Sequence, residues 1–105
     1  KTNKTLEEVA VQNLKMIILT APGERVMNPE FGVGVRNYLF EQETPFLVDE
    51  IRNNIKNQVE RYASFVKIQK LNINIDSDNG VLFVQIKYAV PAAGIVSDLT
   101  IPVSA

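Results

Sequence analysis

The sequence predicts an α+β fold, with two main helices and a short one between them packed on a three-stranded antiparallel sheet. Two observations carry this. Apolar residues recur at spacings of three and four along two segments before Tyr62, and from Val66 onward the period drops to two. The polar run Asp76-Ser77-Asp78-Asn79-Gly80 divides the alternating half as a hairpin turn would, with Asn79-Gly80 suited to positive φ.

Leu6, Val9, Ala10, Leu14, Ile17 and Ile18 form one face of a first helix from about Thr5 to Leu19. Thr5 is its expected N-cap, and Glu7 and Glu8 lie in the first turn, where the helix dipole favours them. Thr20-Ala21-Pro22-Gly23 stops it, because Pro22 cannot continue a helix and disfavours helical geometry at Ala21. The face is broad and the helix long for so small a sheet. Leu14 and Ile18 are therefore also candidates for packing against partner subunits.

Gly23 to Gly34 reads as irregular chain, and Val35 to Phe40 as a short helix that presents Tyr38, Leu39 and Phe40. Thr44-Pro45 announces the second long helix, with threonine as cap and proline at the first helical position. Val48, Ile51, Ile55 and Val59 make its expected buried stripe; Arg52, Lys56 and Arg61 keep the other side wet.

In the alternating half, Val66 and Ile68 are in one phase and Leu71, Ile73 and Ile75 in the other. The slip at Gln69-Lys70 implies a bulge. Leu82, Val84, Ile86, Tyr88 and Val90 share one face of a strand from Val81 to Val90. A last strand, Asp98 to Val103, alternates Leu99, Ile101 and Val103 against Thr100 and Pro102. Proline there argues for a sheet edge, since its missing N–H would break the ladder on one side.

Composition excludes several classes of function. The 105 residues fit one domain over 1–105, and 46% of them are hydrophobic, enough for a packed core. A formal net charge of −1 gives no electrostatic reason to expect nucleic acid or an anionic membrane as partner. With no cysteine and no histidine, disulfides, thiolate metal sites and the usual catalytic triads are absent, and no cofactor or metal is expected. No apolar run reaches the length of a membrane helix, and no signal peptide is visible, so synthesis in the cytoplasm is expected. The chain opens at Lys1 instead of methionine, as it would if an N-terminal extension had been trimmed.

The loop between the helices carries the most specific motifs. Gly23-Glu24-Arg25 leads to Pro29-Glu30-Phe31-Gly32 and then to Leu39-Phe40-Glu41. Pro29 stiffens the chain, Phe31 can plug a core pocket, and Gly32 permits a turn that a side chain would forbid. By themselves these features describe an anchored loop. In this order, after a helix ending Leu19-Thr20, they resemble the phage baseplate wedge family of T4 gene 25, which has members in the type VI secretion baseplate. The similarity runs from about Asn13 to Val90.

The resemblance implies a structural protein at the place where a contractile sheath begins, docked among other baseplate wedge proteins in several copies and monomeric alone. It implies a sheet that offers a strand position to the first sheath ring, with no nucleic-acid or membrane partner, assembled into a virion tail or injection-system baseplate. Leu99, Thr100, Ile101 and Val103 are the expected strand-addition residues, and Glu24 and Arg25 belong to the expected docking surface. Family members usually carry Glu-Pro-Arg after an aromatic residue between the second helix and the first strand; here Ala63-Ser64-Phe65 follows Tyr62. Glu60 and Arg61 lie just upstream and could replace those charges. Phe65 is either a hydrophobic anchor for a partner or a core aromatic.

The same family is often labelled lysozyme-like, which makes a muralytic glycoside hydrolase the alternative. Such an enzyme needs two carboxyls flanking the scissile bond, one with a raised pKa. Glu24, Glu30, Glu41 and Glu43 are close enough in sequence for a pair to converge. Against this stand the small domain, the absence of tryptophan for sugar stacking, and the expectation that Tyr38 and Phe40 are used in packing. Lys67, Lys70 and Lys87 make a modest basic stripe on the strands, read as a solvated face that also discourages edge pairing.

Overall fold

A computed structural model of the chain describes residues 5–23, 30–41, 44–76 and 78–104. Helix α1 spans Leu6–Leu19 and begins in a capping box: the Glu8 N–H donates to the Thr5 hydroxyl (3.2 Å) and the Thr5 N–H to the Glu8 carboxylate (3.1 Å). Helix α2 spans Pro45–Tyr62, capped by the Thr44 hydroxyl, which accepts from the Leu47 N–H at 3.2 Å. Between them Val35–Phe40 forms a 3-10 helix. Strands β1 (Lys67–Asp76), β2 (Val81–Val90) and β3 (Ile95–Ser104) pair antiparallel in the order β1-β2-β3. The predicted α+β architecture is the one observed.

The predicted bulge is also present. Ile68 faces Tyr88 and Lys70 faces Lys87, leaving Gln69 as the extra residue. At the hairpin, the Asp76 carboxylate accepts from the Asn79 backbone and side chain, and Gly80 takes φ +65°. Strand β3 starts at Ile95, three residues earlier than expected. Ile95 and Ser97 continue the inward register, but a serine at an inward position hides the alternation from a count of apolar residues.

The core lies between the helices and one face of the sheet. Ala10, Leu14, Ile17 and Ile18 of α1 meet Leu47, Ile51, Ile55 and Val59 of α2, and below them lie Leu82, Val84, Ile86, Tyr88 and Val90 of the central strand. In α2 the deepest line starts at Leu47; Val48, expected on the stripe, is half-buried at its margin. Leu14 and Ile18 are fully enclosed within the monomer. Their side chains are therefore unavailable to a partner, which corrects the expectation that they form a docking stripe. The same apolar periodicity that suits a helix bundle is here satisfied by the chain's own sheet.

Phe40 is the second correction. It is 72% exposed, not packed. A 3-10 helix has three residues per turn, so buried Val35 and half-buried Tyr38 share one face while Phe40 follows exposed Asn37 onto the solvent side. Leu39 packs against the core margin as expected.

Candidate functional site

Two regions collect the residues singled out from the sequence: the open edge of β3, and the corner where the Glu30–Gly32 loop meets α2.

Strand β3 pairs only with β2, in an unbroken ten-residue register from Ile95 opposite Val90 to Ser104 opposite Val81. Its other side is an open edge. Ile101 and Val103 are buried and Leu99 half-buried beneath the helices, so these three hold the strand in register and do not themselves face a partner. Val96, Asp98, Thr100 and Pro102 point to the outer face. Backbone groups in an antiparallel ladder alternate between bonding the neighbour and pointing away. Pro102, with no N–H, fits a position pointing away from β2, and the same alternation turns the backbone of Val96, Asp98 and Thr100 toward the open edge. The opposite edge is less suited to pairing: β1 carries the bulge at Gln69, with exposed Lys67 and Lys70 on either side. The outer face is uncovered, with a shallow depression of about 320 Å³ lined by Lys70, Asn72, Gln85, Lys87, Asp98 and Thr100 among others.

At the loop corner, Gln58 of α2 grips the backbone twice. Its side-chain oxygen accepts from the Gly32 N–H at 2.7 Å, and its amide donates to the Glu30 carbonyl at 3.0 Å. Phe31 is then driven inward, 8% exposed, with its ring edge-on to Tyr62 at 5.0 Å. The Val33 N–H closes the corner on the Ile17 carbonyl at 2.8 Å, satisfying an acceptor near the end of α1. Outside, Arg61 donates to the Glu30 carboxylate at 2.9 Å and lies 5.1 Å over the Tyr62 ring. The Glu30 hydrogen bond, with smaller contributions from Tyr62 and the Glu30 charge, raises the Arg61 pKa. Both side chains are more than half exposed, so this pair positions more than it stabilises.

Arg61, an expected docking residue, is thus paired with Glu30 of the loop motif. Glu60, the neighbour of Arg61, instead lines an open groove of about 460 Å³ with Lys56, Ser64 and Lys67, between the end of α2 and β1. Phe65 is half-buried against the core, in keeping with its reading as a core aromatic. Glu24, Arg25 and Pro29, and Glu43 among the carboxylates weighed for catalysis, lie outside the described residues. Sequence reasoning missed Gln58, which carries no signal of its own. It also missed Phe46, 82% exposed, whose place one residue off the Leu47–Ile51–Ile55 line was there to be read.

Apart from the Tyr88 phenol in the core, no charged or polar side chain is buried among the described residues, and none of their carboxylates gathers with others as a metal site would require. Tyr38 is a half-buried titratable group. Its hydroxyl donates to Glu50 (3.2 Å) and accepts from the Asn54 amide (2.6 Å); burial first, and the Glu50 charge second, raise its pKa above 10.0. The neutral phenol that ties the 3-10 helix to α2 therefore persists through neutral pH, and its contribution is lost only as pH rises through that raised value.

Comparison with known proteins places these features. The family model for baseplate wedge protein gp25 matches residues 4–94. Baseplate wedge protein gp25 of Enterobacteria phage T4 is 37% identical over 76 residues, which are 70% of this chain and 56% of that protein; the chain spans little more than half of that relative. A chain in the cryo-EM structure of the anti-feeding prophage baseplate superposes with a TM-score of 0.68 at 28% identity, covering 79% of this chain and 67% of that one. A crystal structure of a Geobacter sulfurreducens protein labelled a tail lysozyme superposes with a TM-score of 0.85, covering 99% and 95% of the two chains; at 24% identity this likeness concerns the fold. With the family model spanning most of its length, the chain belongs to the gp25 baseplate wedge protein family.

Proposed function

We propose that the protein is a structural component of a contractile-tail or injection-system baseplate, docked among the wedge proteins and starting the sheath by offering the β3 edge to a sheath strand. Membership of the gp25 family supports the baseplate setting. The observation that carries the finer reading is the β3 edge itself: ten residues long, free of bulges, held in register from below, and open on one side. A strand added there gains main-chain hydrogen bonds, while the side chains at Val96, Asp98 and Thr100 set which strand fits. This route to function needs no catalytic residue. A glycoside hydrolase needs one carboxyl held in an apolar, water-poor pocket; of the carboxylates weighed for that role, the two among the described residues, Glu30 and Glu41, are exposed. Synthesis in the cytoplasm and incorporation into the particle in several copies complete the reading.

Thr100→Pro tests it. The substitution removes an outward N–H in the middle of the edge and leaves the β2–β3 ladder intact, as Pro102 does two residues on. Leu99, which precedes it, is already extended, so the new ring is accommodated. The variant is expected to fold with a nearly unchanged unfolding midpoint and to enter baseplates, giving particles with tubes and no sheath by electron microscopy. Full sheaths on baseplates that demonstrably contain the variant would rule out β3 as the initiating edge.

A further inference from the structure

We propose that Phe40 and Phe46 form a two-ring anchor that docks a basic, aliphatic segment of a neighbouring baseplate protein, with Glu41 and Glu50 meeting its positive charge. This inference rests on the baseplate reading above. At 72% and 82% exposure the two rings are the most solvent-accessible large apolar side chains among the described residues. Phe40 ends the 3-10 helix and Phe46 is the second residue of α2, and the Tyr38 hydroxyl, bonded to Glu50 and Asn54, clips that helix onto α2. Neither ring is needed for folding: the cap is made by Thr44, and the buried line of α2 begins at Leu47. Two phenylalanine rings exposed to this degree are the composition of a binding hot spot, not of a solvated surface.

The charge around the rings selects the occupant. Among the described residues from Glu41 to Glu50 the charged side chains are Glu41, Asp49 and Glu50, all acidic. Asp49 is engaged by Arg52 at 3.3 Å; Glu41 is exposed, and Glu50, exposed as well, accepts only the neutral Tyr38 hydroxyl among the contacts described. Aromatic faces beside carboxylates attract lysine and arginine, whose aliphatic stems cover the rings while the cation meets the acid. An anionic membrane is repelled by the same charges. A purely apolar segment would crowd two carboxylates without neutralising them. A second copy of this chain could bring Lys67, Lys70 and Lys87 together with Phe83 and Val96, but that outer sheet face flanks the β3 edge assigned above to the sheath strand.

The test has two readouts. In the first, particles are produced with the wild-type chain and the Phe40→Ala/Phe46→Ala double variant in competition. The variant is expected to keep its unfolding midpoint and to be incorporated roughly thirtyfold less well, as expected for removing a hot-spot anchor; Glu41→Lys is expected to reduce incorporation severalfold. In the second, a photo-crosslinking benzoylphenylalanine replaces Phe46 in assembled particles. The crosslinked peptide is expected to come from another baseplate protein and to carry lysine or arginine among aliphatic residues. Equal incorporation of the double variant, or crosslinks only to a second copy of this chain or to lipid, would overturn the anchor and leave the baseplate reading standing. Absence of the wild-type chain from purified particles would overturn both.

Discussion

Replacing Gly32 by alanine is expected to destabilise the protein by about 3–6 kcal/mol, combining the strain of a left-handed backbone with a steric overlap. Gly32 sits at φ +103°, and a Cβ there would lie 2.2 Å from the Thr20 carbonyl oxygen and 2.9 Å from its carbon. These are backbone atoms at the end of α1, so relief requires moving the helix or the loop. Moving the loop pulls its N–H off the Gln58 side chain, 2.7 Å away, and leaves both groups without their partner. Gly23 supplies the control. It has a comparable φ of +91° with nothing within 4 Å of the added carbon, so Gly23→Ala should show the conformational strain alone. Chemical denaturation of the two variants separates the terms. Equal losses would mean that the Thr20 contact yields freely and that Gly32 matters only for its φ.

Phe31→Ala is expected to cost about 3–5 kcal/mol, since it removes a buried ring whose site the surrounding backbone cannot readily collapse into. One wall of the pocket is the Tyr62 ring at 5.0 Å, and the loop above it is held by both Gln58 hydrogen bonds. In a domain of this size such a loss lowers the thermal midpoint by more than about 12 °C and removes a large share of a typical total stability. Phe31→Leu keeps most of the volume and should lose less than half as much. An unchanged midpoint for Phe31→Ala would mean that the ring contributes nothing to the corner and is free to serve a partner.

These two residues also mark how far the sequence could be read. Phe31 as a plug and Gly32 as a turn were both legible, because proline, phenylalanine and glycine in a short loop have few physical uses. The helix starts at Thr5 and Thr44 were legible as caps, and the Gln69 bulge as a phase slip, since each has a local cause. Features that depend on what lies across the fold were not. Leu14 and Ile18 carry the same periodicity whether they face their own sheet or another chain, and only the tertiary packing separates those cases. Phe40 looked like core until the three-residue turn of its helix carried it outward. Gln58 became important only when α2 lay under the loop 26 residues earlier in the chain, a contact no local pattern announces. Of the candidate assembly site, the edge position of β3 was legible through Pro102, while the separation of Glu60 from Arg61 was not.

A cryo-EM reconstruction of the assembled baseplate with its first sheath ring would show what lies against the open edge of β3. The prediction is a strand from a sheath subunit running beside β3, main-chain to main-chain at the roughly 4.8 Å spacing of a sheet, bonded along Val96 to Thr100 and leaving the sheet near Pro102. A β3 edge that faces solvent in the finished particle, or a sheath strand laid instead along bulged β1, would contradict it.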